Sequence, residues 1–162
     1  MQELERIDEA LACHAQALSI RQDVPDIWVN LGVTLRGKGR IEEALTAFDQ
    51  ALTLNPNSAE AHGNRGLVLQ ALGRLDEALK CFERALAIKP RSAEALNNLG
   101  ILLRDLGRLD AARASLDQAL TIKPDYAAAL INRGNVLKDL GQLDAALAET
   151  RPAQSVGLIC RL

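Results

Sequence analysis

Aromatic side chains are nearly absent from this sequence: two Phe, one Trp and one Tyr in 162 residues. Any core must therefore be assembled from Leu, Ala, Ile and Val. Basic residues are not in excess either. Nineteen Lys and Arg face 21 Asp and Glu, for a net charge of −2, which argues against the positive footprint of a nucleic-acid binder. No apolar run approaches the roughly 20 residues that span a bilayer, so no membrane association is expected. The opening stretch MQELERIDEALACHAQ mixes both signs of charge and lacks the apolar centre of a secretion signal, so a cytoplasmic location is expected. Cysteine is scarce. Cys13, Cys81 and Cys160 form no CxxC pair and no Cys/His cluster, so no metal and no cofactor is expected, and the thiols should be free.

What is present is repetition. Pro56, Pro90 and Pro124 recur every 34 residues, each closing a similar phrase: ALTLNP, ALAIKP, ALTIKP. Gly32, Gly66, Gly100 and Gly134 keep the same period, as do Gly39, Gly73, Gly107 and Gly141, and Ala44, Ala78, Ala112 and Ala146. Interlocking series at one period mean stacked supersecondary units. Within a unit, apolar residues follow helical spacing twice. Residues 59–72 read as one helix, Gly73 and Arg74 as a turn, and 75–88 as a second helix. Gly73 falls where a left-handed helix stop is needed. Asp76 and Glu77 put negative charge at a helix start, where the dipole favours it. Proline then ends the unit.

Register divides the chain into a lone second helix at 1–24, full repeats at 25–58, 59–92 and 93–126, an incomplete repeat at 127–150 and an irregular tail at 151–162. In the last repeat Thr150 takes a bulky apolar position and Pro152 falls where a helix interior belongs. Neither end carries the polar capping unit usual in solenoids, so self-association through the termini is expected. The same register disposes of a false lead. GVTLRGKGR, residues 32–40, approaches a phosphate-binding loop. It lacks the Ser or Thr after Lys38 and a preceding strand. Lys38 instead falls in the turn between two helices.

The period, glycines, alanines and prolines together resemble the tetratricopeptide repeat. Residues 25–58 carry the likeness best through Trp28, Leu31, Gly32, Leu35, Ala44, Phe48 and Pro56, and it extends over roughly residues 1–149. Two departures concern packing: Leu35, Leu69, Leu103 and Leu137 stand at the family's tyrosine position, and Arg65 and Arg133 at its leucine position. The resemblance implies an all-α, right-handed superhelix (an α-solenoid) of antiparallel helix pairs, with first helices lining a concave groove. It implies no catalysis. His14 aligns with Phe48 and Phe82, and His62 with Trp28, so both histidines read as packing residues. No catalytic residue is assigned.

Register then picks out groove residues. Asn30, Asn64, Asn98 and Asn132 occupy the sixth position of every repeat, while the fifth varies through Val29, Gly63, Asn97 and Ile131. An amide offers a donor and an acceptor side by side, as an extended peptide backbone requires. Helix layers lie roughly 8–10 Å apart and an extended chain rises about 3.3 Å per residue, so successive asparagines match about every third peptide residue. A structural role, with amides bonding neighbouring helices, is the alternative. The ninth position supplies Val33, Leu67, Ile101 and Asn135, and the twelfth supplies Arg36, Arg104 and Lys138, with Gln70 between them. These add an apolar strip and cations. The asparagine ladder resembles the repeat domain of protein O-GlcNAc transferases and related bacterial proteins, where it presents substrate to a separate catalytic domain. Repeat domains that clamp chaperone C-termini use lysines beside the asparagines. None stands here, and Asp26, Glu60 and Glu94 form an acidic rim. The expected function is a scaffold for an extended peptide or partner segment. A substrate-recognition fragment of a glycosyltransferase and a homotypic assembly module remain as alternatives.

Overall fold

The computed structural model describes residues 2–141. The elements are α1 (Gln2–Ile20), α2 (Pro25–Gly37), α3 (Ile41–Leu54), α4 (Ala59–Ala71), α5 (Leu75–Ile88), α6 (Ala93–Asp105), α7 (Leu109–Ile122) and α8 (Ala127–Asp139). No strand occurs among the described residues. The described residues fall into two compact units that part between residues 90 and 91. In the first, α2 pairs with α3 and α4 with α5, α1 lies on α2, α3 packs on α4, and α2 also meets α4. In the second, α6 pairs with α7, and α8 lies against both. The expected helix pair at 59–88 is reproduced to within one residue. Thr150, Pro152, Cys160 and the tail lie outside the described residues.

The turn chemistry is the one anticipated for Gly73. Its φ is +73°, a conformation that side chains with a Cβ resist. The Arg74 N–H donates to the Leu69 carbonyl at 2.9 Å and the Gly73 N–H to the Gln70 carbonyl at 2.9 Å. This pair of bonds satisfies carbonyls that the last turn of α4 would otherwise leave open. The first helices α4 and α6 begin at Ser58 and Ser92, whose hydroxyls accept from the N–H groups of Ala61 (3.1 Å) and Ala95 (3.2 Å).

The hairpins close on small residues. A Cβ placed at Gly32 would lie 2.6 Å from Phe48 Cε1, and one at Gly66 would lie 2.8 Å from Phe82 Cε1. Both rings are fully buried, as are Ala44 and Ala78. Burying a large apolar side chain contributes about 1.5–3 kcal/mol, so each ring anchors its hairpin through contact with a bare backbone. His14, in the register of these rings, is half-buried, with a ring nitrogen 3.3 Å from the Thr34 hydroxyl. It meets α2 through this polar contact.

Candidate functional site

The ladder asparagines sit in mid-helix on the first helices α2, α4, α6 and α8. Their amides differ in environment. Asn30 is exposed and makes no side-chain hydrogen bond with a described residue. The half-buried Asn64 turns its Nδ2 back to the Glu60 carbonyl at 3.1 Å, one helical turn earlier. Asn98 and Asn132, also half-buried, belong to a linked set. The Asn132 Nδ2 donates to Asn97 Oδ1 at 2.8 Å, and the Asn97 Nδ2 lies 3.4 Å from Asn98 Oδ1.

Asn97 itself is only 4 % exposed. A buried amide without partners costs on the order of 1–3 kcal/mol, and both ends of this one are occupied. In the sequence Asn97 stands at a register that varies from repeat to repeat. The usable signal was its polarity. Val29 holds the same register in the first complete repeat and is likewise 4 % exposed. An amide at a position that buries valine needs a polar neighbour.

The other expected groove residues fall into two groups. Val33 is exposed at 37 %, while Leu67, Ile101 and Asn135 are half-buried. In the first unit Val33 and Leu67 put apolar side chains on α2 and α4; in the second, Ile101 on α6 is followed by the polar Asn135 on α8. Among the cations, Arg104 is already engaged, because its Nε donates to Asp139 Oδ2 between α6 and α8. That hydrogen bond holds the guanidinium above its ordinary pKa. Arg36 and the exposed Lys138 have no ion-pair partner among the described residues. The expected groove positions are thus mainly neutral and amide-bearing, with cations at the twelfth position of the repeats.

A second polar feature lies in the first unit, in a recess of about 390 Å³ bordered by Asp49, His62, Arg65, Lys80, Cys81 and Arg84. Arg65 donates from Nε to Asp49 Oδ1 at 2.6 Å and from Nη1 to the buried Cys81 sulfur at 3.1 Å. Arg84 donates to Asn57 Oδ1 at 3.1 Å. The His62 ring nitrogen sits 3.0 Å from the Pro56 carbonyl, so Nε2 carries the proton. Much of the charge here is matched locally. Arg133 repeats the arrangement in the second unit, with its Nε on Asp117 Oδ1. The two arginines that depart from the family pattern are therefore each tied to an aspartate sixteen residues earlier. Cys13 and Cys81 are both free. Among the described residues no group of three metal-ligating side chains comes together, and no helix is long and apolar enough to cross a membrane.

A tetratricopeptide repeat family model matches residues 23–91 and 57–125, and a second model of the same description matches 103–154. No curated protein matches the chain. Solved structures do. MamA of Desulfovibrio magneticus RS-1, from residue 41 to its end, is 24 % identical with a TM-score of 0.80, over 90 % of this chain and 84 % of that one. TTC0263, a thermophilic TPR protein in Thermus thermophilus, is 26 % identical with a TM-score of 0.78, over 91 % of this chain and 81 % of that one. YrrB, described as a TPR protein with an unusual peptide-binding site, is 24 % identical with a TM-score of 0.72, over 91 % of this chain and 76 % of that one.

Proposed function

The chain belongs to the tetratricopeptide repeat family, and on that premise we propose that it is a non-catalytic scaffold that binds an extended peptide or partner segment along its first helices. The observation that carries the reading is an amide at one register of all four first helices, Asn30, Asn64, Asn98 and Asn132, each exposed or half-buried. Asn is a mediocre mid-helix residue, so its retention at that register beside a variable neighbour favours use. Paired donor and acceptor groups suit a peptide backbone and select little among side chains. The peptide-binding description of YrrB supports the same reading. The asparagine set, with Val33, Leu67, Ile101 and Asn135 beside it and Arg36, Arg104 and Lys138 at its edge, is the proposed contact surface.

A random linear peptide library displayed on phage tests this. The wild-type chain should enrich binders, and Asn64→Ala combined with Asn98→Ala should weaken their capture by about tenfold, the loss of one to two net hydrogen bonds. Unchanged capture by the folded double variant would remove the groove from consideration. Self-association is a second reading favoured by one observation. Ile131 is 55 % exposed at the register where Val29 is 4 % exposed.

A further inference from the structure

We infer that Asn97 is a positioning residue that fixes the polarity of the peptide site in the second unit; the inference rests on the peptide-binding reading above. Asn97 is buried, and its Oδ1 takes a hydrogen from Asn132 Nδ2 at 2.8 Å across α6 and α8. An asparagine amide is planar, with oxygen and nitrogen on opposite arms. Turning the nitrogen of Asn132 toward Asn97 sets its oxygen on the opposite arm, as the acceptor facing away from Asn97. The longer contact from Asn97 Nδ2 to Asn98 Oδ1, 3.4 Å, biases Asn98 the other way and leaves its nitrogen to donate. The second unit therefore meets a peptide N–H at Asn132 and a peptide carbonyl at Asn98. A side chain held in its binding orientation loses less freedom when the ligand arrives.

The first unit supplies an internal control. There Val29 holds the register of Asn97, and α2 meets α4 as α6 meets α8. Asn64, the counterpart of Asn132, finds no amide to bond and folds its nitrogen onto its own helix at Glu60. Where the buried residue is valine, the neighbouring amide is left to its own helix. Where it is asparagine, the amide is tied across the helix pair. The first unit is thus expected to contribute less polarity to the bound peptide than the second.

The probe is a linear peptide selected by the wild-type chain from the random library, remade with each backbone amide replaced in turn by an ester, which removes one N–H donor. At the peptide residue facing Asn132, the ester should weaken binding to the wild type by about three- to tenfold, the range for one net hydrogen bond. The same ester should make no difference with Asn97→Val, which places in α6 the residue that α2 carries. Asn97→Ala gives the same reading if valine disturbs the packing. A merely structural role for Asn97 would lower the melting temperature and leave the ester effect intact. An ester effect that persists in the folded variant, or a scan with no costly position, overturns the inference and leaves peptide binding standing. A wild-type chain that enriches no peptide overturns both.

Discussion

Two glycines of α4 illustrate how unequal neighbouring positions can be. Gly66 faces the Phe82 ring so closely that an added Cβ would lie 2.8 Å from Cε1, whereas a Cβ at Gly63 would meet nothing within 4 Å. Gly66→Ala is therefore expected to destabilise the chain by about 1–3 kcal/mol through overpacking. Gly63→Ala should stabilise it by up to about 1 kcal/mol, since alanine is the better helix former. Urea unfolding midpoints of the two variants should move in opposite directions. A shared direction would mean that helix propensity or some other term outweighs the ring contact. The same scale separates what sequence shows from what it hides. The period singled out Gly66 because every repeat carries a glycine at its register. It did not identify Asn97, whose partner Asn132 lies 35 residues away on another helix. Periodicity relates equivalent residues, and a hydrogen bond between non-equivalent ones leaves no periodic trace.

Helix ends set the next scale. The Ser92 hydroxyl accepts from the Ala95 N–H at 3.2 Å, and Ser92→Ala should lower stability by about 1 kcal/mol, measurable as a reduced urea midpoint at unchanged slope. The second helices begin differently. Arg40 and Arg74 precede α3 and α5 and bond Glu43 and Glu77 in their first turns. These bonds hold both carboxyls below the ordinary glutamate value of 4.5. A lowered carboxylate pKa in the folded chain makes its contribution complete above the unfolded value and lost as pH falls through the folded one. Both pairs are exposed, so the contribution is small. In Glu77→Gln the slope of stability against pH below about 4.5 should be shallower than in the wild type. An unchanged slope would assign acid sensitivity to other carboxylates. Helix bounds were legible to within a residue at 59–88, because a glycine stop and a proline end are local signals. The Arg65–Asp49 bond was not, because an arginine at a leucine position reads as a packing change until its distant aspartate is known.

For the whole molecule, a net charge of −2 and the neutral amides of the proposed contact residues predict how binding responds to salt. Capture of a selected peptide should change by no more than about twofold between 50 and 200 mM salt, far from the orders of magnitude typical of phosphate-backbone recognition. A steep salt dependence would shift the emphasis from the amides to Arg36 and Lys138. Ile131, 55 % exposed, belongs to a different property. Ile131→Lys should reduce any concentration-dependent mass increase seen by light scattering, and an unchanged oligomer would place self-association elsewhere.

The arginine links carry a consequence for how such an array can be cut or extended. Arg65 and Arg133 stand 68 residues apart, as do Asp49 and Asp117, while Leu31 and Leu99 fill the alternate places. Adjacent repeats are therefore not interchangeable parts; the modular brick is a pair. Excising residues 59–92 would set Leu99 behind Asp49 and strand that carboxylate, whereas excising 59–126 would bring Arg133 into the same sixteen-residue relation with Asp49 that Arg65 now holds.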